Sequence, residues 1–126
     1  MTILGLGIDV VEINRFKKIK NNKKIIKRIF TAYENSYCKN KNQIFCFAKR
    51  FAAKEAFVKA LGIGFRDGIN LSNIEIRNSK LGMPSIVISK FLKKKIIKKF
   101  KLKKFKVFLS ISDEKNYAIA NVIITK

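Results

Sequence analysis

Residues 42–62 read NQIFCFAKRFAAKEAFVKALG and contain the strongest helical signal of the chain. The segment is rich in alanine, the best helix former, and has no proline and no glycine before its end. Gly62 closes it with the residue type that most readily adopts the left-handed conformation after a helix. The segment predicts one long helix over 42–61, around which the rest of the chain can be placed.

An apolar segment opens the chain. Residues 2–11, TILGLGIDVV, predict a buried strand, with Asp9 inside it. Gly5 and Gly7 carry too few further glycines for a phosphate-binding loop and instead favour a close backbone contact. This strand is expected to pack against the long helix.

Short helices are predicted between the first strand and the long helix. They cover residues 12–20, 23–30 and 31–39, and Asn21-Asn22 separates the first two. The third begins with the capping box of Thr31 and Glu34. The middle of the chain is therefore helical.

After residue 71 the apolar pattern changes to a period of two, which indicates strands. The predicted strands are 74–77, 85–88, 104–112 and 116–125, with a basic helix over 90–101 that begins after Ser89. We predict a single α+β domain over residues 1–126, with an N-terminal strand, a helical middle and a largely antiparallel sheet.

The charge is strongly positive. Lys and Arg number 29 against 8 Asp and Glu, which gives +21. Such a surface attracts nucleic acid, phosphorylated ligands, anionic membranes or acidic proteins. Drift of a genome towards A+T-rich codons is an alternative source of the excess lysine. No apolar run reaches the roughly 20 residues of a membrane span, and the apolar content excludes intrinsic disorder.

The residue types present exclude several chemistries. Histidine is absent, so a Ser-His or Cys-His nucleophile pair is impossible and a zinc site is not expected. Cys38 and Cys46 are predicted to be reduced thiols of a cytoplasmic protein. The chain starts with a strand-like run and shows no signal or transit pattern.

Asp9 and Glu55 are the acids that stand in apolar surroundings. Phe51, Glu55 and Lys59 follow one another at intervals of four residues and so share one helix face. Oxygen ligands from two separate elements suit Mg²⁺, whose other ligands are waters and substrate phosphates. The simpler alternative is a surface ion pair of Glu55 with Lys59 and an unrelated acid at a strand end.

Several motifs together resemble the holo-acyl-carrier-protein synthases. GIDVVEINRF at 7–16 is similar to their N-terminal motif, and RFAAKEAFVKALGIG at 50–64 to their second motif. FTAYE at 30–34, GMP at 82–84 and LSISDE at 109–114, followed by YAIA at 117–120, resemble further elements of the family. The resemblance covers essentially the whole chain.

The resemblance implies a 4′-phosphopantetheinyl transferase fold and activity. Such enzymes transfer the phosphopantetheine arm of coenzyme A to a serine of apo acyl carrier protein, in fatty acid biosynthesis. They use Mg²⁺ and release adenosine 3′,5′-bisphosphate. The family implies a cytoplasmic homotrimer with active sites between subunits, an acidic carrier protein as partner, and neither nucleic acid binding nor membrane insertion.

The resemblance also implies roles for individual residues. Asp9 and Glu55 match the metal ligands, and Lys59 matches the lysine near the transferred phosphate. Together these three residues match the catalytic group. Arg15 and Lys18 match the face that docks the carrier protein. The positions that match the coenzyme A site are Arg50, Phe51, Lys54, Gly62, Gly64 and Pro84.

The implied reaction is an in-line attack of the carrier serine on the β-phosphorus of coenzyme A, for which positioning and charge neutralisation matter most. Without histidine, Glu55 or a water that it orients is expected to accept the serine proton. The chain departs from the family at Phe108 and Asp113, where histidine is common, and at Ile63, where a small polar residue is commoner. Phe108 affects a phosphate contact, and Ile63 affects a loop hydrogen bond.

Three other functions remain open from the residues. The charge alone permits a nucleic acid binder, although no RNA-binding or helix-turn-helix motif is present. The basic helix over 89–104 also fits an anionic membrane surface, but its apolar stripe is what core packing needs. Longer, monomeric phosphopantetheinyl transferases are pseudo-duplicated, whereas this chain has no internal repeat and must oligomerise to complete an interface site.

Overall fold

The computed structural model describes residues 1–62 and 68–126. Its strands are β1 (Ile3–Glu12), β2 (Ile74–Asn78), β3 (Pro84–Ile88), β4 (Lys106–Asp113) and β5 (Tyr117–Thr125). Its α-helices are α1 (Phe16–Ile19), α2 (Lys23–Ile29), α3 (Ala32–Lys39), α4 (Gln43–Leu61) and α5 (Lys90–Phe100). The predicted α+β class and the long helix are confirmed. None of the helices in these ranges is both long and apolar enough to cross a membrane.

The strands pair only in antiparallel fashion and form two sheets. β5 lies between β1 and β4 in a three-stranded sheet, and β2 pairs with β3 in a separate two-stranded sheet. The predicted antiparallel pairing is therefore present but divided between two sheets. Helix α4 packs against β1 and β5, and its C-terminus is followed by Gly62 at φ 69°.

Glycine and alanine let α4 approach β1 closely. A Cβ atom on Gly5 would lie 1.9 Å from the carbonyl oxygen of Ala60, and one on Gly7 would lie 1.9 Å from that of Ala56. No side chain other than hydrogen fits at these two strand positions without moving the helix. The predicted close backbone contact is confirmed, and it sets the distance between the strand and the helix.

The predicted helix over 12–20 is replaced by a 3₁₀ turn at Ile13–Arg15 and the single helical turn of α1. The amide of Ile13 donates to the carbonyl of Asn116 at 2.9 Å, which ties this segment to the turn between β4 and β5. Ile13 and Phe16 are buried. A long-range hydrogen bond thus displaces the start of the regular helix.

A buried ion pair joins α3 to α4. Glu34 completes the predicted capping box with Thr31, and its carboxylate also accepts from Lys54 and from the amide of Ile76 at 2.9 Å. Lys54 donates further to the carbonyls of Ile29 at 2.7 Å and Leu71 at 3.1 Å. Both side chains are fully buried, so one pair connects α2, α3, α4 and the start of β2.

Two expectations about burial and redox state are wrong. Cys38 and Cys46 form a disulfide, with Cα atoms 5.5 Å apart, because the short turn between α3 and α4 brings them together. Strand β1 is buried on one face only. Its other face exposes Leu6, Ile8 and Val10, because nothing in the described chain covers the outer side of the three-stranded sheet.

Candidate active site

The close contact of β1 with α4 brings Asp9 and Lys59 together. Asp9 lies on the same face of β1 as Gly7, turned towards the helix. The ammonium of Lys59 donates to Asp9 Oδ1 at 3.0 Å and to the carbonyl of Ile8 at 3.1 Å. The pair is open to solvent, with 56% of the Lys59 side chain and 14% of the Asp9 side chain exposed.

Glu55 completes this group. Burial raises the pKa of its carboxyl, the negative charge of Asp9 raises it further, and Lys59 and Arg15 act in the opposite direction. No lysine or arginine of residues 1–62 and 68–126 lies within ion-pair distance of Glu55. Lys59 therefore pairs with Asp9 instead of forming the alternative surface pair with Glu55.

Arg15 borders the carboxylates. Its guanidinium lies 5.6 Å from the centroid of the Phe51 ring, and that ring packs edge-on against Phe16 at 5.5 Å. Arg15 and Lys18 are both exposed. The structure thus places Arg15 beside the predicted catalytic group, with Phe51 as a partly buried support beneath it, and Lys18 lies on the helix α1 that follows.

Arg50 lines a cavity of about 240 Å³ between the α3–α4 turn, the β2–β3 turn and β4. Its guanidinium donates to Asn78 Oδ1 and, at 3.3 Å, to the sulfur of Cys46. It also lies 4.4 Å from the centroid of the Tyr37 ring. Its Nε has no partner within the described chain although it is buried, and this burial lowers the pKa of the guanidinium.

The cavity contains a second predicted residue, Pro84, together with Gly82 of the same turn. Lys41 and Lys49 add positive charge, whereas Asp113 contributes a carboxylate at the position where the family often has histidine. The cavity therefore combines cations suited to a phosphate with one acid that opposes it. Phe108 lies elsewhere, exposed on the outer face of β4.

The remaining predicted coenzyme A residues separate in the structure. Lys54 is enclosed by Glu34 and two carbonyls, so the predicted ligand contact is replaced by a role in the core. Gly62 ends α4 and does not line the Arg50 cavity. Gly64 and Ile63 lie outside the described residues.

The donor set beside β1 fits a hard divalent cation. Asp9 and Glu55 supply carboxylate oxygens from two rigid elements, and their mutual repulsion, seen in the raised pKa of Glu55, is what a cation relieves. No cluster of three or more His, Cys, Asp or Glu occurs in the described ranges. Mg²⁺ needs only one or two carboxylates when phosphates and water complete its shell.

Sequence reasoning missed the partners of Arg50. Tyr37 and Asn78 reach it from α3 and the end of β2, and neither carries a local signal of that contact. It also missed the disulfide, although the eight-residue separation of the cysteines across a helix–helix turn was available as a signal.

Comparison with known proteins gives relatives that match along the whole chain. The holo-[acyl-carrier-protein] synthase of Pelagibacter ubique is 48% identical over 127 residues, covering 100% of this chain and 99% of the relative. The enzyme of the same name from Buchnera aphidicola subsp. Schizaphis graminum is 46% identical and covers 100% of both chains.

Solved structures show the same fold. The synthase from Neisseria meningitidis superposes with a TM-score of 0.86 at 34% identity and covers 99% of this chain and 100% of that one. The synthase from Bacillus anthracis, in complex with CoA (3′,5′-ADP), gives 0.80 at 34% identity, with coverage of 99% and 98%. The sequence model of the 4′-phosphopantetheinyl transferase superfamily matches residues 5–122. The chain therefore belongs to the 4′-phosphopantetheinyl transferase superfamily.

Proposed function

We propose that this chain is a holo-acyl-carrier-protein synthase: it transfers the 4′-phosphopantetheine arm of coenzyme A to a serine of apo acyl carrier protein and releases adenosine 3′,5′-bisphosphate. The observation that carries the proposal is the open group of Asp9, Glu55 and Lys59 at the contact of β1 with α4. The full-length relatives carry the name of this activity, and one solved relative holds CoA (3′,5′-ADP). We place the reaction in the cytoplasm, in the supply of carrier protein for fatty acid synthesis.

Asp9 and Glu55 are the residues that would hold Mg²⁺. When bound there, the ion supplies Lewis-acid polarisation of the pyrophosphate and neutralises charge that develops on its oxygens. Lys59 contributes a second positive charge. Its side chain is more than half exposed and donates to two acceptors among residues 1–62 and 68–126, which leaves one ammonium proton for a phosphate oxygen.

Glu55 is the proposed acceptor of the proton from the serine hydroxyl of the carrier protein. Its carboxylate has no ion-pair partner in the described chain, so Glu55, or a water that it orients, is available to accept the proton. The close contact of Gly7 with Ala56 keeps α4, which carries Glu55, next to Asp9 on β1. The residues thus orient the acceptor and the leaving group, which is most of what phosphoryl transfer requires of a protein.

The Arg50 cavity is the proposed site for the phosphorylated nucleotide end of coenzyme A. Its unpartnered Nε and the nearby Lys41 and Lys49 favour an anion. Pro84 and Gly82 supply the remaining wall. Phe51 and Gly62, the other predicted residues on this helix, do not line the cavity.

Arg15 and Lys18 form the proposed docking face for the carrier protein. Both are exposed, and Arg15 lies beside Glu55, so a carrier bound there delivers its serine to the carboxylates. Acyl carrier proteins are acidic, and opposite charge accelerates such an encounter in a salt-sensitive manner.

We propose a homotrimer in which the outer face of the three-stranded sheet is covered by other copies. This face carries exposed apolar side chains from all three strands: Leu6, Ile8, Val10, Phe108 and Ile119. A contiguous apolar surface of this kind marks an interface. Burial by a second copy also explains why β1 is apolar on both faces.

Intact-mass analysis of apo acyl carrier protein, after incubation with this protein, coenzyme A and Mg²⁺, tests the activity. We expect the mass of one phosphopantetheine arm to be added, and no addition with EDTA or with Asp9→Ala. Glu12→Ala is the matched control, since Glu12 is exposed on the same strand and should leave the transfer unchanged. No mass gain with folded wild-type protein and its cognate carrier would refute the proposal.

Sedimentation velocity tests the trimer. Ile8→Lys places a charge on the outer face and should give monomers, whereas Val87→Lys, on the other sheet, should not change the mass of the assembly. A wild-type protein that sediments as a monomer at micromolar concentration would contradict the proposed assembly.

A further inference from the structure

One wall of the Arg50 cavity comes from the end of α3, the start of α4 and the turn between them. Tyr37, Lys41, Asn42, Phe45 and Cys46 of this segment line the cavity. The disulfide between Cys38 and Cys46 closes residues 38–46 into a loop. The covalent bond therefore encloses four of the residues that line the cavity, and Tyr37 directly precedes the loop.

The disulfide is also in contact with the cation of the cavity. Arg50 Nη1 donates to Cys46 Sγ at 3.3 Å, and the Tyr37 ring, one residue before Cys38, lies against the same guanidinium. The ammonium of Lys41, in the middle of the loop, lies 5.2 Å from the centroid of the same Tyr37 ring, so this ring contacts two cations. A change in the sulfur bond is thus transmitted to Arg50 directly and through Tyr37.

The two sulfurs differ in access. Cys38 is fully buried, whereas Cys46 is 4% exposed and lines the cavity, so the cavity side is the one from which a reductant would reach the bond. Disulfides in reducing compartments are seldom structural and are usually transient or redox-sensing. For a protein that we place in the cytoplasm, a disulfide at a ligand cavity therefore suggests that the bond takes part in thiol–disulfide exchange.

We propose that Cys38–Cys46 is a thiol–disulfide exchange site, reduced by a dithiol that enters through the cavity, and that its state sets the affinity of the cavity for coenzyme A. The second half of this inference rests on the proposed function. The oxidised form holds the loop and Arg50 in the ligand-ready arrangement, and the reduced form binds coenzyme A more weakly.

The exchange balances as a two-electron transfer. A thiolate of the dithiol attacks Cys46 Sγ, the bond between the cysteines breaks, and Cys38 leaves as a thiolate that takes up a proton. The second thiol of the reductant, on losing its proton, attacks the reductant's own sulfur in the mixed disulfide and expels Cys46. The reductant ends as a disulfide and the protein as a dithiol. The guanidinium of Arg50 favours this last step because a neighbouring cation stabilises a leaving thiolate.

Reduction weakens binding because it frees the loop. The loop that carries Lys41 and Asn42 gains freedom that coenzyme A must remove on binding, and ordering of each such side chain carries a free-energy cost. We expect the dissociation constant for coenzyme A to rise roughly threefold to tenfold on reduction.

The test compares the full-length protein after mild oxidation and after treatment with dithiothreitol. Intact mass after iodoacetamide should show no adduct in the first sample and two in the second. Calorimetric titration with coenzyme A should then show the weaker binding of the reduced form. Cys38→Ser/Cys46→Ser should bind like the reduced protein in both conditions, which separates the disulfide from other effects of the reagent.

Other results overturn the proposal. Equal affinity in the two states refutes the redox control while leaving the proposed function intact. Absence of coenzyme A binding in both states refutes the control and the nucleotide site together. Two iodoacetamide adducts after oxidation would show that the cysteines are not bonded and would refute the proposal. Loss of the circular dichroism signal on reduction would show that the disulfide holds the whole fold, which would also refute a local redox control of the cavity.

Discussion

Lys54 and Lys59 lie five residues apart on α4, and each pairs with a carboxylate from a distant element. The Lys54–Glu34 pair is fully buried, and all three ammonium protons have an oxygen acceptor. The Lys59–Asp9 pair is open, and within the part of the chain that the structure describes its ammonium has two acceptors. The difference teaches that the number of acceptors and the access of water, not the kind of residue, separate a lysine that holds the fold from one available to a ligand.

The two carboxylate environments differ in the same sense. Glu34 accepts from Lys54, from the amide of Thr31 at 3.0 Å and from the amide of Ile76, so its charge is fully compensated. Glu55 faces the like charge of Asp9 and is partly desolvated, which raises its pKa. The charge of Glu34 is thus compensated by its partners, whereas the charges of Glu55 and Asp9 repel each other and a bound cation would stabilise them.

The largest expected effect comes from removal of the buried ammonium. Lys54→Met leaves the Glu34 charge without its cation in the core, and such a loss usually costs about 3–5 kcal/mol of unfolding free energy. Urea unfolding measures it. A loss below about 1 kcal/mol would show that the backbone amides alone compensate Glu34.

Glu55→Gln should separate activity from stability. The transfer rate should fall roughly 100-fold or more, because a Lewis-acid site is worth several kcal/mol in the transition state.

The raised pKa of Glu55 means that the folded protein binds the proton of this carboxyl more tightly than the unfolded chain does. Stability is therefore lost as pH rises from the ordinary glutamate value through the raised one, and ionised Glu55 destabilises the metal-free fold at neutral pH.

In the absence of Mg²⁺, the Glu55→Gln protein should accordingly unfold at the same temperature as the wild type or higher. Addition of Mg²⁺ should stabilise the wild type alone, since only it has the site. A melting temperature clearly below that of the metal-free wild type at neutral pH would show that Glu55 supports the fold and would break the comparison with Glu34.

The smallest expected effect is that of Lys59→Met on stability. An exposed ion pair contributes about 1 kcal/mol at most, so the urea midpoint should stay close to that of the wild type. The transfer rate should nevertheless fall, because the ammonium beside Asp9 is lost. Lys94→Met, which removes an exposed lysine on α5, away from the proposed site, is the control for charge. A stability loss as large as that of Lys54→Met would contradict the distinction between the two lysines.

Much of this fold follows from local patterns. The alanine-rich composition of α4, its Gly62 end and the Thr31 capping box depend on neighbouring residues, and all are present as predicted. The meeting of Asp9 with the Glu55 face of α4 also follows, since the small residues of β1 and α4 permit only a close contact.

The partners of the charged side chains could not be predicted in the same way. Position 54 differs from position 55 only by the direction in which the helix presents it, and that direction is decided by the packing of α2, α3 and β2. The choice of Asp9 over Glu55 as the partner of Lys59 likewise depends on the strand opposite. Cys38 and Cys46 were expected to be thiols because the cytoplasm is reducing, but the turn between α3 and α4 brings them within bonding distance.

The contact of Gly5 and Gly7 with Ala60 and Ala56 bears on how this sequence can change over time. A side chain between two elements can be exchanged for another of similar volume, but a backbone-to-backbone contact offers no such exchange, because the next larger residue already collides. Lysine, isoleucine and asparagine can therefore accumulate over the outer surface without moving Asp9 relative to Glu55. The spacing of the proposed catalytic carboxylates is therefore independent of which residues the outer surface carries.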